Sequence, residues 1–246
     1  MNQADRWLPL VVNEGQPVRG EGFVLRVGET HCLLAVGGTA LTSDGTIVSA
    51  APTAMLHPAT FVDLDRFEGR HTVIDGRLEN SAVRVLGVNA VEPQADVHYV
   101  NAATRPDHRT IRVRSQAERQ LMTEGLLLDL WHPADTEPSR PVALATDPEP
   151  VREALIGDYG KHLTVVKSRW TEATLRHIEE ELNRDGLVRS VGRRIGPNLQ
   201  MQVDATLLHI PASLPLRLAR FPADAIHIHP ILTPRAPAAK SLGDAE

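Results

Sequence analysis

Apolar and polar positions follow two different rhythms along this chain. Residues 22–28 (GFVLRVG), 31–38 (HCLLAVGG), 46–50 (TIVSA), 70–78 (RHTVIDGRL) and 82–91 (AVRVLGVNAV) are short apolar runs separated by turn signals. In the last of these, Val83, Val85 and Val88 alternate with polar or small neighbours. Ten of the seventeen glycines fall before residue 95. Short strands at this spacing predict a small, closed or nearly closed antiparallel β-barrel over 1–95. The stretch 67–88 resembles the closing hairpins of OB-like barrels.

Residues 96–140 are less regular. They read as a connecting segment with a strand at 109–115, a short helix at 116–125 and an apolar strand at 126–132. The proline-rich stretch 133–141 reads as a loop.

From 141 the rhythm becomes strand, helix, strand. Residues 142–146 are a strand, and 147–160 form a helix with Asp147 at its N-cap and Pro148 just inside. A further strand follows at 162–167. Residues 168–186 carry the clearest helical pattern, with Leu175, Ile178 and Leu182 on one face. Thr171 is placed to cap that helix, Trp170 to clamp against Leu175 and Gly186 to end it. A hairpin of 187–195 and 199–208, a short helix at 212–221 and a last strand at 224–232 complete the set.

In 199–208, Leu199, Met201, Val203, Ala205 and Leu207 point one way, while Gln200, Gln202, Asp204 and Thr206 point the other. The order from 162 to 232 matches the split βαβ, ferredoxin-like pattern. The expected class is therefore α+β, with an OB-like barrel followed by a ferredoxin-like sandwich over 141–232 and a disordered tail over 233–246.

Composition narrows the function classes. At 42% hydrophobic and 23% charged, the chain has the balance of an ordinary globular protein. Basic residues are almost all Arg, with three Lys, a bias that points to a GC-rich bacterial genome. The net charge of −5 argues against a nucleic-acid binder, which needs a basic surface. The first 95 residues carry eleven acids against seven bases, and only Trp7, Phe23, Phe61 and Phe67 are available there to stack on bases. The one cysteine, Cys32, lies in an apolar run and reads as a buried small side chain. With no signal peptide and no membrane span in the pattern, the expected location is the cytoplasm.

The candidate chemistry sits near the end of the chain. His227 and His229 alternate with Ile226 and Ile228, so on a strand both imidazoles share a face. Pairing of this strand with 162–167 would bring His162 beside them, and three histidines could hold zinc with an open fourth position. Asp204 is expected two strands away, outside such a group. The competing reading makes the same face, Gln200, Gln202, Asp204, Thr206, His227 and His229, a contact surface for a protein partner or a second copy. Arg189, Arg193 and Arg194 form the best local basic patch, suited to phosphate or an acidic partner.

Three functions follow, in this order. The first is a non-enzymatic binding or assembly protein acting through the polar sheet face. The second is an OB-type single-stranded nucleic-acid binder. The third is a metal-dependent hydrolase at the histidine face.

Overall fold

The computed structural model describes residues 3–35, 39–41, 47–49, 54–91, 114–132, 140–196 and 198–236. It is a sheet-rich α+β protein that divides into two compact units. The first comprises 1–106, 207–215 and 230–246, and the second 107–206 and 216–229. The two halves of the chain are therefore not consecutive in sequence: the last segment returns to the first unit.

The first unit is built on β1 (Pro17–Val27), β2 (Thr30–Ala35), β5 (Ala54–Pro58), β6 (His71–Glu79) and β7 (Ala82–Ala90). Hydrogen bonds link them in the order β1-β2-β5-β7-β6, and β6 pairs back with β1. The sheet thus returns on itself as a ring of five strands. The long β1 makes this possible, since one edge serves β2 over 22–27 and the other serves β6 over 17–23. The expected antiparallel pattern holds for four of the five pairings, but β5 and β7 run parallel. An odd ring forces this. Directions alternate around the sheet, so a five-membered closure leaves one like-directed pair.

Two local devices shape the closing hairpin. Asn80 and Ser81 both have positive φ (51° and 62°), the turn geometry whose twist matches that of the flanking strands. A bulge between Asp75 and Gly76 shifts the register of β6 on β7. A Cβ at Gly76 would lie 2.4 Å from the Arg84 carbonyl oxygen, so glycine is required where the two backbones converge. Inside the ring Val24, Leu33, Leu56, Ile74, Leu78, Val83 and Val85 are buried. Each contributes about 2 kcal/mol through its removal from water.

The tail expected to be disordered from 233 begins as a strand. β14 (Leu232–Pro234) pairs with β1 through Gly20↔Leu232 and Arg19↔Thr233. Leu232 is fully buried, and its Cδ2 lies 2.9 Å from where a Cβ on Gly20 would stand. Burial of that one leucine against a glycine anchors the return. Residues 237–246 lie outside the described residues. Between β2 and β5 lies a further hairpin of β3 (Thr39–Leu41) and β4 (Ile47–Ser49).

The second unit holds two separate three-stranded sheets. In one, β9 (Val142–Ala145) is central, parallel to β10 (Thr164–Lys167) and antiparallel to β8 (Leu127–Trp131). Helix α1 (Gln116–Thr123) and helix α2 (Pro148–Tyr159) pack on it through a core of Leu121, Leu127, Ala143, Ala145, Val151 and Leu155. Ser115 caps α1 by accepting from the Glu118 amide. Asp147 occupies the N-cap of α2, but its side chain makes no capping bond. The Tyr159 hydroxyl donates to the buried Glu118 carboxylate, which ties α2 to α1. The part of the strand expected at 109–115 that covers 109–113 lies outside the described residues, as do residues 133–139 of the expected loop.

The other sheet has the order β11-β12-β13, formed by β11 (Val188–Ile195), β12 (Met201–Leu207) and β13 (Ile226–Pro230). This corrects the expected pairing of the last strand with residues 162–167. The crossover through α2 commits β10 to a parallel ladder with β9, and β13 takes β12 as its neighbour instead. The four strands from 164 onward therefore do not share one ferredoxin-like sheet.

Helix α3 (Glu172–Asn183) behaves as its pattern predicts. Thr171 accepts from the Thr174 amide, and Leu175, Ile178 and Leu182 are buried. Its acidic run is not a solvated face, however. Glu181 is 4% exposed and is surrounded by Arg184, Arg217 and Arg220. Helix α4 (Ser213–Leu218) is shorter than its expected span of 212–221.

Candidate metal centre

The alternation read in β12 is present in the structure. Met201, Val203, Ala205 and Leu207 are buried, while Gln202, Asp204 and Thr206 are partly exposed. Leu199 departs from it: with φ of 54° it belongs to the turn and is exposed. On β13, Ile226 is buried and His227 and His229 turn to the polar side with Asp204.

Because β13 lies directly beside β12, Asp204 reaches both histidines. Its Oδ1 is 2.7 Å from His227 Nδ1 and 3.4 Å from His229 Nε2. The two imidazole rings meet edge to face with centroids 4.1 Å apart. The ligand atoms of all three residues lie within 4.8 Å of one another, the one such group of three among the described residues. Side-chain exposures of 33% for His227, 54% for His229 and 36% for Asp204 leave the group open on one side.

This is chemistry that a divalent transition metal uses. Two imidazole nitrogens and one carboxylate oxygen are a common zinc ligand set, and three protein ligands leave a fourth position for water or substrate. Tetrahedral coordination with bonds of about 2.1 Å spaces its ligands by about 3.4 Å. The Asp204–His229 separation already has that value, and the Asp204–His227 contact would open by less than an ångström.

Arg194 on β11 completes the surroundings. Its Nη1 stands 3.3 Å from His227 Nδ1, and its Nε is buried without a hydrogen-bond partner among the described residues. His227 Nδ1 thus faces an acceptor and a donor at once. A single ring nitrogen can donate to Asp204 or accept from Arg194, but not both.

The other expected site residues are elsewhere or engaged. His162 is exposed in the turn Gly160–His162 that precedes β10, within the other sheet, and is not part of the group. Gln200 accepts from the Arg169 amide and donates to the Lys167 carbonyl. Gln202 donates to the Asp224 carbonyl. Thr206 is half-buried at the end of the polar face.

The basic patch is not a cluster of free cations. Arg193 donates to Glu172 at 2.9 Å and to Glu179 at 2.7 Å, both on α3. These bonds raise the Arg193 pKa further, and the same guanidinium holds Glu172 below the usual carboxylate range. Arg189 donates to the Gly186 carbonyl. Of the three, only Arg194 is directed at the histidine face.

Asp204 is the residue that sequence reasoning left out. It is the only carboxylate on the polar face of β12, and that was the available signal; what excluded it was the assumed strand order. The reading of Cys32 holds: it is 5% exposed, and burial pushes its thiol pKa up. Among the described residues no helix is long and apolar enough to cross a membrane. Compared with family models, curated proteins and solved structures, the chain matches none.

Proposed function

We propose that this protein binds one divalent transition-metal ion, zinc in the first place, through Asp204, His227 and His229. The observation that carries the reading is the convergence of one carboxylate oxygen and two imidazole nitrogens from adjacent strands. The open fourth position suits a metal-bound water, whose acidity the ion raises, and makes hydrolysis the class of reaction such a centre would serve. Equilibrium dialysis of metal-free protein against zinc tests it. One ion retained per chain, and none in the Asp204→Ala variant, is the expected result.

A second reading keeps the same face as a protein-contact surface. It is favoured by Val191 and Leu199, which are 37% and 44% exposed on the hairpin beside the polar residues. Native mass measured across a range of protein concentrations tests it, and a concentration-dependent dimer would support it.

In the first unit, the five-membered ring with one strand paired to both neighbours supports an OB-type barrel as the finer description. Its use for single-stranded nucleic acid has less support. Trp7 and Phe23 are buried, and Phe61 is the strongly exposed aromatic residue of the four.

A further inference from the structure

We infer that the metal centre takes an oxyanion, a phosphoryl or carboxylate group, held between the ion and Arg194. This rests on the metal-binding reading above and goes beyond it by assigning the ligand of the open position.

The argument begins with the conflict at His227 Nδ1. That nitrogen lies 2.7 Å from Asp204 Oδ1 and 3.3 Å from Arg194 Nη1. With a metal ion in place, the Nδ1 lone pair and the Asp204 oxygen both point at the ion, and their mutual contact is no longer a hydrogen bond. Arg194 then loses its acceptor. Its Nε already lacks a partner among the described residues and is shielded from water. A buried guanidinium donor without an acceptor is costly, by about 1–3 kcal/mol for each such group.

A ligand that supplies acceptor oxygens removes that cost. The planar fork of arginine donates two parallel bonds to phosphoryl or carboxylate oxygens. Two cations side by side also repel until an anion stands between them. An oxyanion with one oxygen on the metal and another on Arg194 satisfies both requirements. A neutral ligand such as an alcohol or an amide satisfies neither in full.

The other cations of this region do not compete for the role. Arg193 is engaged by Glu172 and Glu179, and Arg169 by Asp224. The partly exposed His229 leaves room for a ligand to approach from solvent.

Cobalt(II), which replaces zinc and has visible absorption bands sensitive to its ligands, is the probe. Metal-free protein is titrated with cobalt, then with inorganic phosphate, phenyl phosphate and acetate in separate runs. The expected result is a cobalt spectrum that changes on addition of oxyanion, with about tenfold tighter cobalt binding in its presence. In Arg194→Gln the cobalt spectrum should still form, while the oxyanion response is lost or weakened about tenfold. A response to the two phosphates alone assigns a phosphoryl ligand, and a response to acetate alone a carboxylate. A cobalt spectrum indifferent to all three, or a response unchanged in Arg194→Gln, overturns this inference and leaves the metal site standing. If no cobalt spectrum forms, both fall together.

Discussion

Asp204 Oδ1 and His227 Nδ1 face each other across β12 and β13 at 2.7 Å. One residue closes a polar position on a strand that is otherwise buried at every second side chain, and the other begins a histidine pair on its neighbour. That adjacency turns two exposed histidines into a three-ligand group.

The hairpin that carries Arg194 is fastened to α3 by charge. Glu172 and Glu179 both accept from Arg193, and substitution of Arg193 by Met should leave two partly buried carboxylates without their partner. The expected loss of stability is about 2 kcal/mol, read from the denaturant midpoint. Replacement of the exposed Arg176, which reaches only Glu172 at 3.5 Å, should cost far less.

Acid should weaken the second unit through the same contacts. Arg193 holds Glu172, and Arg217 holds Asp185, below the ordinary carboxylate range. A carboxyl whose folded pKa is depressed adds stability above its unfolded value, about 4, and that stability is lost as pH falls through the lower folded value. Unfolding midpoints should therefore stay level down to about pH 5 and then decline. Glu172→Gln should flatten part of that decline, as followed by urea titration at each pH.

Glu181 makes a sharper case. It is 4% exposed, and Arg184, Arg217 and Arg220 approach it. Glu181→Leu keeps the volume but places three guanidinium groups near an apolar side chain. The expected cost is about 3 kcal/mol in thermal or urea unfolding. The neighbouring Glu180, which is outside this network, should be replaceable with a change within about 0.5 kcal/mol.

Ring closure in the first unit depends on Gly76. Gly76→Ala would drive a methyl group into the Arg84 carbonyl and Val83 and should cost about 3 kcal/mol. Gly87, across the same bulge from Asp75, has open space at its Cβ position and should accept alanine without loss. Comparison of the two variants by urea unfolding separates closure from a general effect of removing glycine.

Much of the local structure was legible because it depends on neighbours in sequence. The period of two in β12, the Thr171 cap of α3 and the turn after Glu79 are local, and all are present. Strand order is not local. Nothing in residues 226–230 indicates whether the strand joins β10 or β12, and this choice decided that Asp204 rather than His162 meets the histidines. The return of Leu232 to β1 was likewise hidden, since it depends on space left by Gly20 more than two hundred residues earlier. The parallel pair β5–β7 follows from the number of strands in the ring, which no single strand reveals.

The central claim is that Asp204, His227 and His229 hold a metal ion, and thermal unfolding of metal-free protein with and without zinc tests it most directly. With free zinc about a hundredfold above its Kd, the folded state should gain about 2.7 kcal/mol, seen as a rise in Tm. Asp204→Ala and His227→Ala should fold without zinc and lose that rise, while His162→Ala should retain it in full. No rise in the wild-type protein, or a rise that survives in both Asp204→Ala and His227→Ala, would contradict the account.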